Sequence, residues 1–196
     1  GINKIALSYE VSGLYASDGV RWRVAVRTTD NDLYYSPWSE FYIERGHPIY
    51  VKPGATGTGN SWSDATDLQT ALQLAVFGDE LWVAAGVYKP TFGSDRGIAF
   101  EIKEGLKLYG GFSGTETSRE QRNHLANQSV LSGNIGDPDS NNDNSYHVVI
   151  IRGEVSVPVS SATVIDGFII EKGRASFAFS DNDKGGALII NNGSPL

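Results

Sequence analysis

The chain has 196 residues, 40% of them hydrophobic and 20% charged, and carries a formal net charge of -7. That balance supports a packed core and opposes both phosphate neutralisation on nucleic acid and docking on an anionic membrane. Cysteine is absent, which excludes disulfides, thiolate catalysis and zinc–thiolate sites together, and no apolar run approaches the roughly 20 residues of a membrane-spanning helix.

The 23 glycines, with many Asn, Asp, Ser and Thr, predict frequent turns between short strands. Methionine is absent too, so Gly1 is not a translation start and the chain is expected to be a piece of something longer.

Residues 1–46 read as antiparallel strands. In VRWRVAVRTTD, Trp22, Val24 and Val26 alternate with Arg21, Arg23 and Arg27, the period of a half-buried strand. Upstream, Ile5, Leu7 and Tyr9 share one face of KIALSYEV; downstream, SEFYIER follows the Asp30-Asn31 turn as the next strand. The residues SGLYASDGVRWRVAVRT…YYSPWSEF resemble the C-terminal half of a fibronectin type III domain, with Leu14, Trp22, Val24, Trp38 and Ser39 at that family's spacing. The resemblance implies a partial antiparallel β-sandwich. Its tyrosine-corner position falls on Val20, so the corner hydrogen bond is expected to be missing. Trp38 is expected to stack on Arg23 or Arg21 as a cation–π contact.

From His47 onward the pattern changes. YVKPGATGTGNSW carries Gly54, Gly57 and Gly59, the outline of a phosphate-binding loop before a helix. A dinucleotide site would need a full strand before the first glycine and an acid at the end of the next strand. HPIYV is short and soon broken by Pro53, and ELWVAAG ends without an acid. The glycines are therefore expected to make a tight turn.

Next, DLQTALQLAVFGD places Leu68, Ala71, Leu72, Ala75 and Val76 on one helical stripe, with Asp67 as N-cap and Gly78 as the left-handed residue at the C-terminus. No second amphipathic helix follows. Short apolar runs recur instead: ELWVAAGVY, AFEIKEGLKLYGGF, SVLSGN, SYHVVIIRG, ATVIDGFIIEKG and GGALIINNGSP. Their centres lie roughly 17–25 residues apart, the repeat length of a solenoid.

YVKPGATGTGNSWSDATDLQTALQLAVFGDELWVAAGVYKPT, followed in order by LYGGFSGTE, LSGNIGD, DNSYHVV, IDGF and GGA…NNGSP, resembles the start of the pectate-lyase-like β-helix domains of bacterial surface proteins. The fold class expected from both resemblances is all-β: a right-handed parallel β-helix over residues 47–196, capped by the 68–76 helix, after a partial fibronectin-like sandwich over 1–46. The final GGALIINNGSPL reads as an unfinished coil, so the chain is expected to be truncated there. The resemblance also implies a secreted or cell-surface module joined to further domains, a non-catalytic stalk or adhesin that binds carbohydrate or another surface protein. Its alternative is a polysaccharide lyase or glycoside hydrolase of the same group.

For chemistry, the densest acidic stretch is GDPDSNNDNSYH. Its Asp137-x-Asp139-x-Asn141 start mimics a calcium loop, but position six is Asn142 instead of Gly and position twelve is Val148 instead of Glu, so an EF-hand is excluded. Asp137, Asp139 and Asp143 are the candidate ligands for weak calcium binding, set against a solvated turn; no other cofactor is expected. Trp62 is the candidate sugar-stacking ring, set against packing over the cap, and Trp82 is expected in the core. Asp166 reads as a turn residue accepting backbone N–H bonds and His147 as structural. FSGTETSREQRNH reads as a polar excursion suited to a variable binding surface.

Overall fold

The computed structural model describes residues 19–27, 33–37, 39–42, 45–153, 158–176 and 186–192. The chain divides into two compact units at Arg45 and Gly46.

In the first unit, strand β1 (Gly19–Trp22) pairs antiparallel with β4 (Ser39–Tyr42), and β2 (Ala25–Arg27) pairs antiparallel with β3 (Leu33–Tyr35). The alternation VRWRVAVR is broken at Arg23-Val24, where the Val24 N–H donates to Ser36 Oγ and the Ser36 N–H donates to the Val24 carbonyl, both at 2.8 Å. These are two separate two-stranded ladders, and the expected antiparallel fibronectin sandwich is not what they form. The physical reason is visible in exposure: Val24, Leu33, Tyr34 and Tyr35 are 46%, 40%, 63% and 49% exposed, where a sandwich would bury them between two sheets. The Arg23 guanidinium lies over the Tyr35 ring at 3.7 Å. Trp38, Leu14 and the 5–9 strand fall outside the described residues.

The second unit is built from parallel strands in three sheets. β5 (Ile49–Val51), β6 (Glu80–Ala84), β9 (Lys107–Phe112) and β12 (Val164–Asp166) form one, in spatial order β12-β9-β6-β5. β7 (Gly86–Tyr88), β10 (Ser129–Ser132) and β13 (Phe168–Glu171) form the second, and β8 (Phe100–Lys103), β11 (Val149–Gly153) and β14 (Leu188–Asn192) the third. From β6 onward the chain visits the three sheets in turn, so each pass adds one strand beside the last. Parallel strands need a crossover between them, and here the crossover is a visit to the other two sheets.

The register fixes which side chains face inward. Ile49, Leu81, Leu108 and Ile165 are neighbours across the first sheet, and Phe100, Val149 and Leu188 across the third. Leu81, Leu108, Leu131, Ile102 and Val149 are fully buried in one core that all three sheets share. Ser129, also fully buried, offers no apolar surface but closes a bend. Its hydroxyl accepts from the Gly111 N–H and lies 3.0 Å from the carbonyls of Val83 and Ala84, where the β6–β9 register slips by one residue.

Helix α1 (Leu68–Leu74) lays Leu68, Ala71 and Leu72 on this core. Asp67 caps it as expected, its Oδ1 accepting from the Thr70 N–H at 3.1 Å. The helix stops before Ala75 and Val76, because Asp79 Oδ2 takes the Val76 N–H at 3.0 Å and Lys103 Nζ takes the carbonyls of Gln73 and Ala75. Gly78 is left-handed at φ 93° and donates to the Gly105 carbonyl. Among the described residues no helix is long and apolar enough to cross a membrane.

The expected fold class is therefore corrected. The described residues are not all-β with an antiparallel sandwich in front; they are mixed, with three short parallel sheets of three or four strands, one α-helix, two 3-10 turns (η1, Trp62–Asp64; η2, Arg119–Gln121) and two small antiparallel ladders. Apolar runs of this length look alike whichever partner they find, and partner choice is what the sequence pattern leaves open.

The glycine loop is a tight turn pressed on β5. Tyr50 N–H donates to Gly59, Gly57 N–H to Ala65, Gly59 N–H to Asp64 and Thr66 N–H to Tyr50. Gly59 is left-handed at φ 82°, and a Cβ there would meet Ile49 Cγ2 at 2.8 Å; at Gly57 it would meet the Asp64 carbonyl oxygen at 2.5 Å. Gly59→Ala is expected to cost about 1–2 kcal/mol from the left-handed backbone alone. Gly46, with nothing within 4 Å and no left-handed backbone, is the control. Thermal denaturation of the two variants checks this; equal melting temperatures would show that the loop yields without strain.

Candidate functional site

Successive side chains of a strand point to opposite faces, so the residues next to the buried Leu81 and Leu108 point outward. The register sets Tyr50, Trp82 and Tyr109 side by side on that outer face, with Asp166 beyond Tyr109. Trp82 and Tyr109 are nevertheless only 6% and 9% exposed, because the segments that follow the glycine loop and strand β9 cover them.

From one side comes Trp62. Its ring meets Tyr50 edge-on at 4.8 Å and tilts against Phe112 at 5.6 Å, and Trp82 stacks on the fully buried Phe112 at 4.8 Å. The Trp62 indole N–H donates to the Glu116 carbonyl at 2.8 Å, and the Lys52 ammonium stands 5.7 Å from its ring centre. Trp62 thus clasps the glycine loop to the 113–116 turn, with its polar atom already engaged.

From the other side come Arg119 and Arg122, whose guanidinium groups lie 4.5 and 5.2 Å from the Tyr109 ring centre. Arg119 also pairs with Glu80 at 3.0 Å, and Arg122 with Asp166. Each contact of an arginine with the Tyr109 ring is worth about 0.5–2 kcal/mol. The FSGTETSREQRNH stretch therefore lies back against the sheet through its two arginines instead of projecting as a free binding loop. Asp166 accepts from a guanidinium, where the sequence predicted a backbone turn.

Glu116 anchors the same segment. Its carboxylate accepts the backbone N–H groups of Ser113, Gly114 and Thr115 at 2.6, 3.0 and 3.0 Å. Burial pushes this carboxyl up, but the N–H groups of Ser113, Thr115 and Glu116 itself, with the Ser113 hydroxyl, outweigh it and hold it below the ordinary glutamate range. Glu104 is arranged alike. Desolvation raises it, while the hydroxyls of Ser160 and Thr163 and the N–H groups of Ser160 and Gly105 lower it further.

The proposed calcium ligands do not converge. Asp137 Oδ1 accepts from the Asp139 N–H at 2.9 Å, and Asp143 Oδ2 accepts from the Asp137 N–H at 2.7 Å, so these carboxylates cap turns of their own loop. Among the described residues no three Asp, Glu or His side chains come together as a metal set. His147 is buried in the third sheet's approach, and His47 Nδ1 lies 2.9 Å from the Pro48 carbonyl.

Two clefts flank Pro90, and sequence reasoning did not single them out. Gln69 on α1 separates them, donating through Nε2 to the carbonyls of Pro90 and Ala99 at 2.6 and 3.2 Å. One is lined by Leu72, Ile98, Glu101 and Lys103; the other by Val87, Lys89, Thr91 and Phe92. Phe92, 89% exposed, stands at the rim. That cleft's lining combines a flat apolar ring with the side chains of Lys89 and Thr91, which can donate hydrogen bonds. The residues come from a helix, a strand and a loop, and no local motif marks them.

Comparison with protein-family models, with curated proteins and with solved structures finds no match for this chain.

Proposed function

We propose that the chain is a non-catalytic module of a large secreted or cell-surface protein, a stack of parallel strands that presents clefts and loops to carbohydrate or to another surface protein. The observation that carries this reading is the use made of the carboxylates. Glu116 and Glu104 are committed to backbone N–H groups and hydroxyls, and Glu80 and Asp166 to arginines. Among the described residues the three glutamates whose carboxyls are displaced, Glu104, Glu116 and Glu120, all lie below the ordinary range. A general acid at neutral pH needs displacement the other way. The secreted setting rests on the resemblance of the glycine loop, helix and strand run to bacterial surface proteins.

The test uses the intact chain with a panel of acidic and neutral polysaccharides. Neither reducing sugar nor unsaturated uronide should be released, and turnover above a heat-killed control would establish the lyase or hydrolase alternative. Retention on immobilised glycan, lost in Phe92→Ala, is the positive arm. Retention that Phe92→Ala leaves unchanged would move the contact away from this cleft.

A further inference from the structure

The loop between β10 and β11 is pinched at its neck, where the Ser145 N–H donates to the Gly133 carbonyl at 2.8 Å. Around that neck stand Asn134, Asn144 and Ser145, respectively 6%, 1% and 0% exposed. Asn134 Nδ2 reaches the Pro138 carbonyl and Asn144 Nδ2 reaches Asn141 Oδ1, so both amides spend their donors within the loop. Their oxygens have no partner. Asn134 Oδ1, Asn144 Oδ1, Ser145 Oγ and Asp143 Oδ1 are all buried without a hydrogen bond. Asp143 packs against Gly136, and its Oδ2 is held by the Asp137 N–H.

Leaving a buried acceptor unpaired costs about 1–3 kcal/mol, and more for a charged one. Four in one loop neck, one of them a carboxylate oxygen, is a local demand for positive charge. The basic side chains nearby do not meet it: Arg96 Nε donates to the Asn144 carbonyl and Arg174 to Asn142 Oδ1, and Asp143 forms no salt bridge with either. The unsatisfied atoms are all oxygens, three neutral and one charged. That is the donor set of a hard cation, and a poor one for a transition metal that prefers nitrogen or sulfur.

We propose that this neck binds a calcium-class cation through Asp143 Oδ1, Asn134 Oδ1, Asn144 Oδ1 and Ser145 Oγ, with water and loop carbonyls completing the shell. One formal charge in the set fits the weak end of calcium binding, about 10⁻⁴–10⁻³ M. The site differs from the acid spacing visible in the sequence: Asp137 and Asp139 serve as turn residues, and the neutral oxygens do most of the coordination.

The experiment titrates the intact chain with calcium while following melting, and with terbium while exciting tyrosine, since Tyr146 adjoins the neck. Calcium at about ten times its dissociation constant should raise the melting temperature, and terbium emission should saturate. Asp143→Asn preserves an oxygen for the Asp137 N–H and should weaken binding by about tenfold or more, whereas Asp139→Asn should leave it unchanged. Asn134→Asp is the decisive arm, because adding a second carboxylate should tighten calcium binding while lowering the melting temperature in chelator. No calcium-dependent shift would overturn the proposal. So would equal weakening by Asp139→Asn, the sign of diffuse attraction to acids, or an Asn134→Asp variant that binds no tighter.

Discussion

Leu108→Asp is expected to unfold the 46–196 unit. Leu108 is fully buried in β9, with Leu81 and Ile165 as its cross-strand neighbours, inside the core shared by the three sheets and α1. The substitution removes about 1.5–3 kcal/mol of apolar burial. It also strands a carboxylate where no cation reaches, at a further cost of several kcal/mol. Set against a total stability of about 5–15 kcal/mol, the sum is enough to abolish a cooperative melt. Ile169→Asp is the comparison, since Ile169 is 40% exposed on β13. It should stay folded, losing under about 1 kcal/mol as surface changes usually do. Circular dichroism melts of the two variants decide it; a Leu108→Asp protein that melts near the wild type would mean that the inward row has been assigned to the wrong face.

How much of this was legible in the sequence differs by element. The helix was, because its stripe, its Asp67 cap and Gly78 are local signals that agree with one another. Its early end was not: Ala75 and Val76 continue the apolar stripe, and what stops them is Asp79 and Lys103 capturing backbone groups. The apolar runs marked where strands lie, and every run from ELWVAAGVY to GGALIINNGSP holds at least one. What spacing leaves undetermined is which sheet each strand joins, since a four-residue strand carries no label for its neighbour. In residues 19–42 the same limit acted more severely. The alternation there is genuine, yet the strands pair two by two and leave Val24, Leu33, Tyr34 and Tyr35 exposed, so a resemblance in spacing led to a sandwich that the described residues do not build.

The candidate sites were less legible still. Acid spacing drew attention to Asp137, Asp139 and Asp143, but of the buried oxygens without partners in the 134–145 stretch only one belongs to these acids, and the others belong to Asn134, Asn144 and Ser145. A buried asparagine looks like any turn asparagine until its neighbours are known. The aromatic row is similar. Trp82 was expected in the core and is buried, but on the outer face of its sheet, under Trp62 and Phe112. Only a register places Tyr50, Trp82 and Tyr109 in line, and only then do Arg119 and Arg122 have a surface to lie on.

Acid should loosen that cover before it unfolds the core, with Glu116 setting the limit. The carboxyl of Glu116 sits below its unfolded value, so its ionised form contributes stability that is fully present above the unfolded glutamate value, about 4.3, and is lost as pH falls through the lower folded one. Melting temperature should therefore be flat near neutrality and fall as pH drops below about 4.5. Glu116→Gln keeps one acceptor oxygen but gives up the charge that the Ser113, Gly114 and Thr115 N–H groups share. It should cost about 1–3 kcal/mol at pH 7 and leave a shallower acid limb. Glu104→Gln should act in the same direction; the two carboxylates share no partner, and their effects should add to within about 0.5 kcal/mol. Limited proteolysis locates the loss, because freeing Glu116 releases the 113–124 segment and uncovers Trp62, Trp82 and Tyr109 together. If Glu116→Gln melts like the wild type at pH 7 and is cut no faster within that segment, the carboxylate does not hold the cover in place.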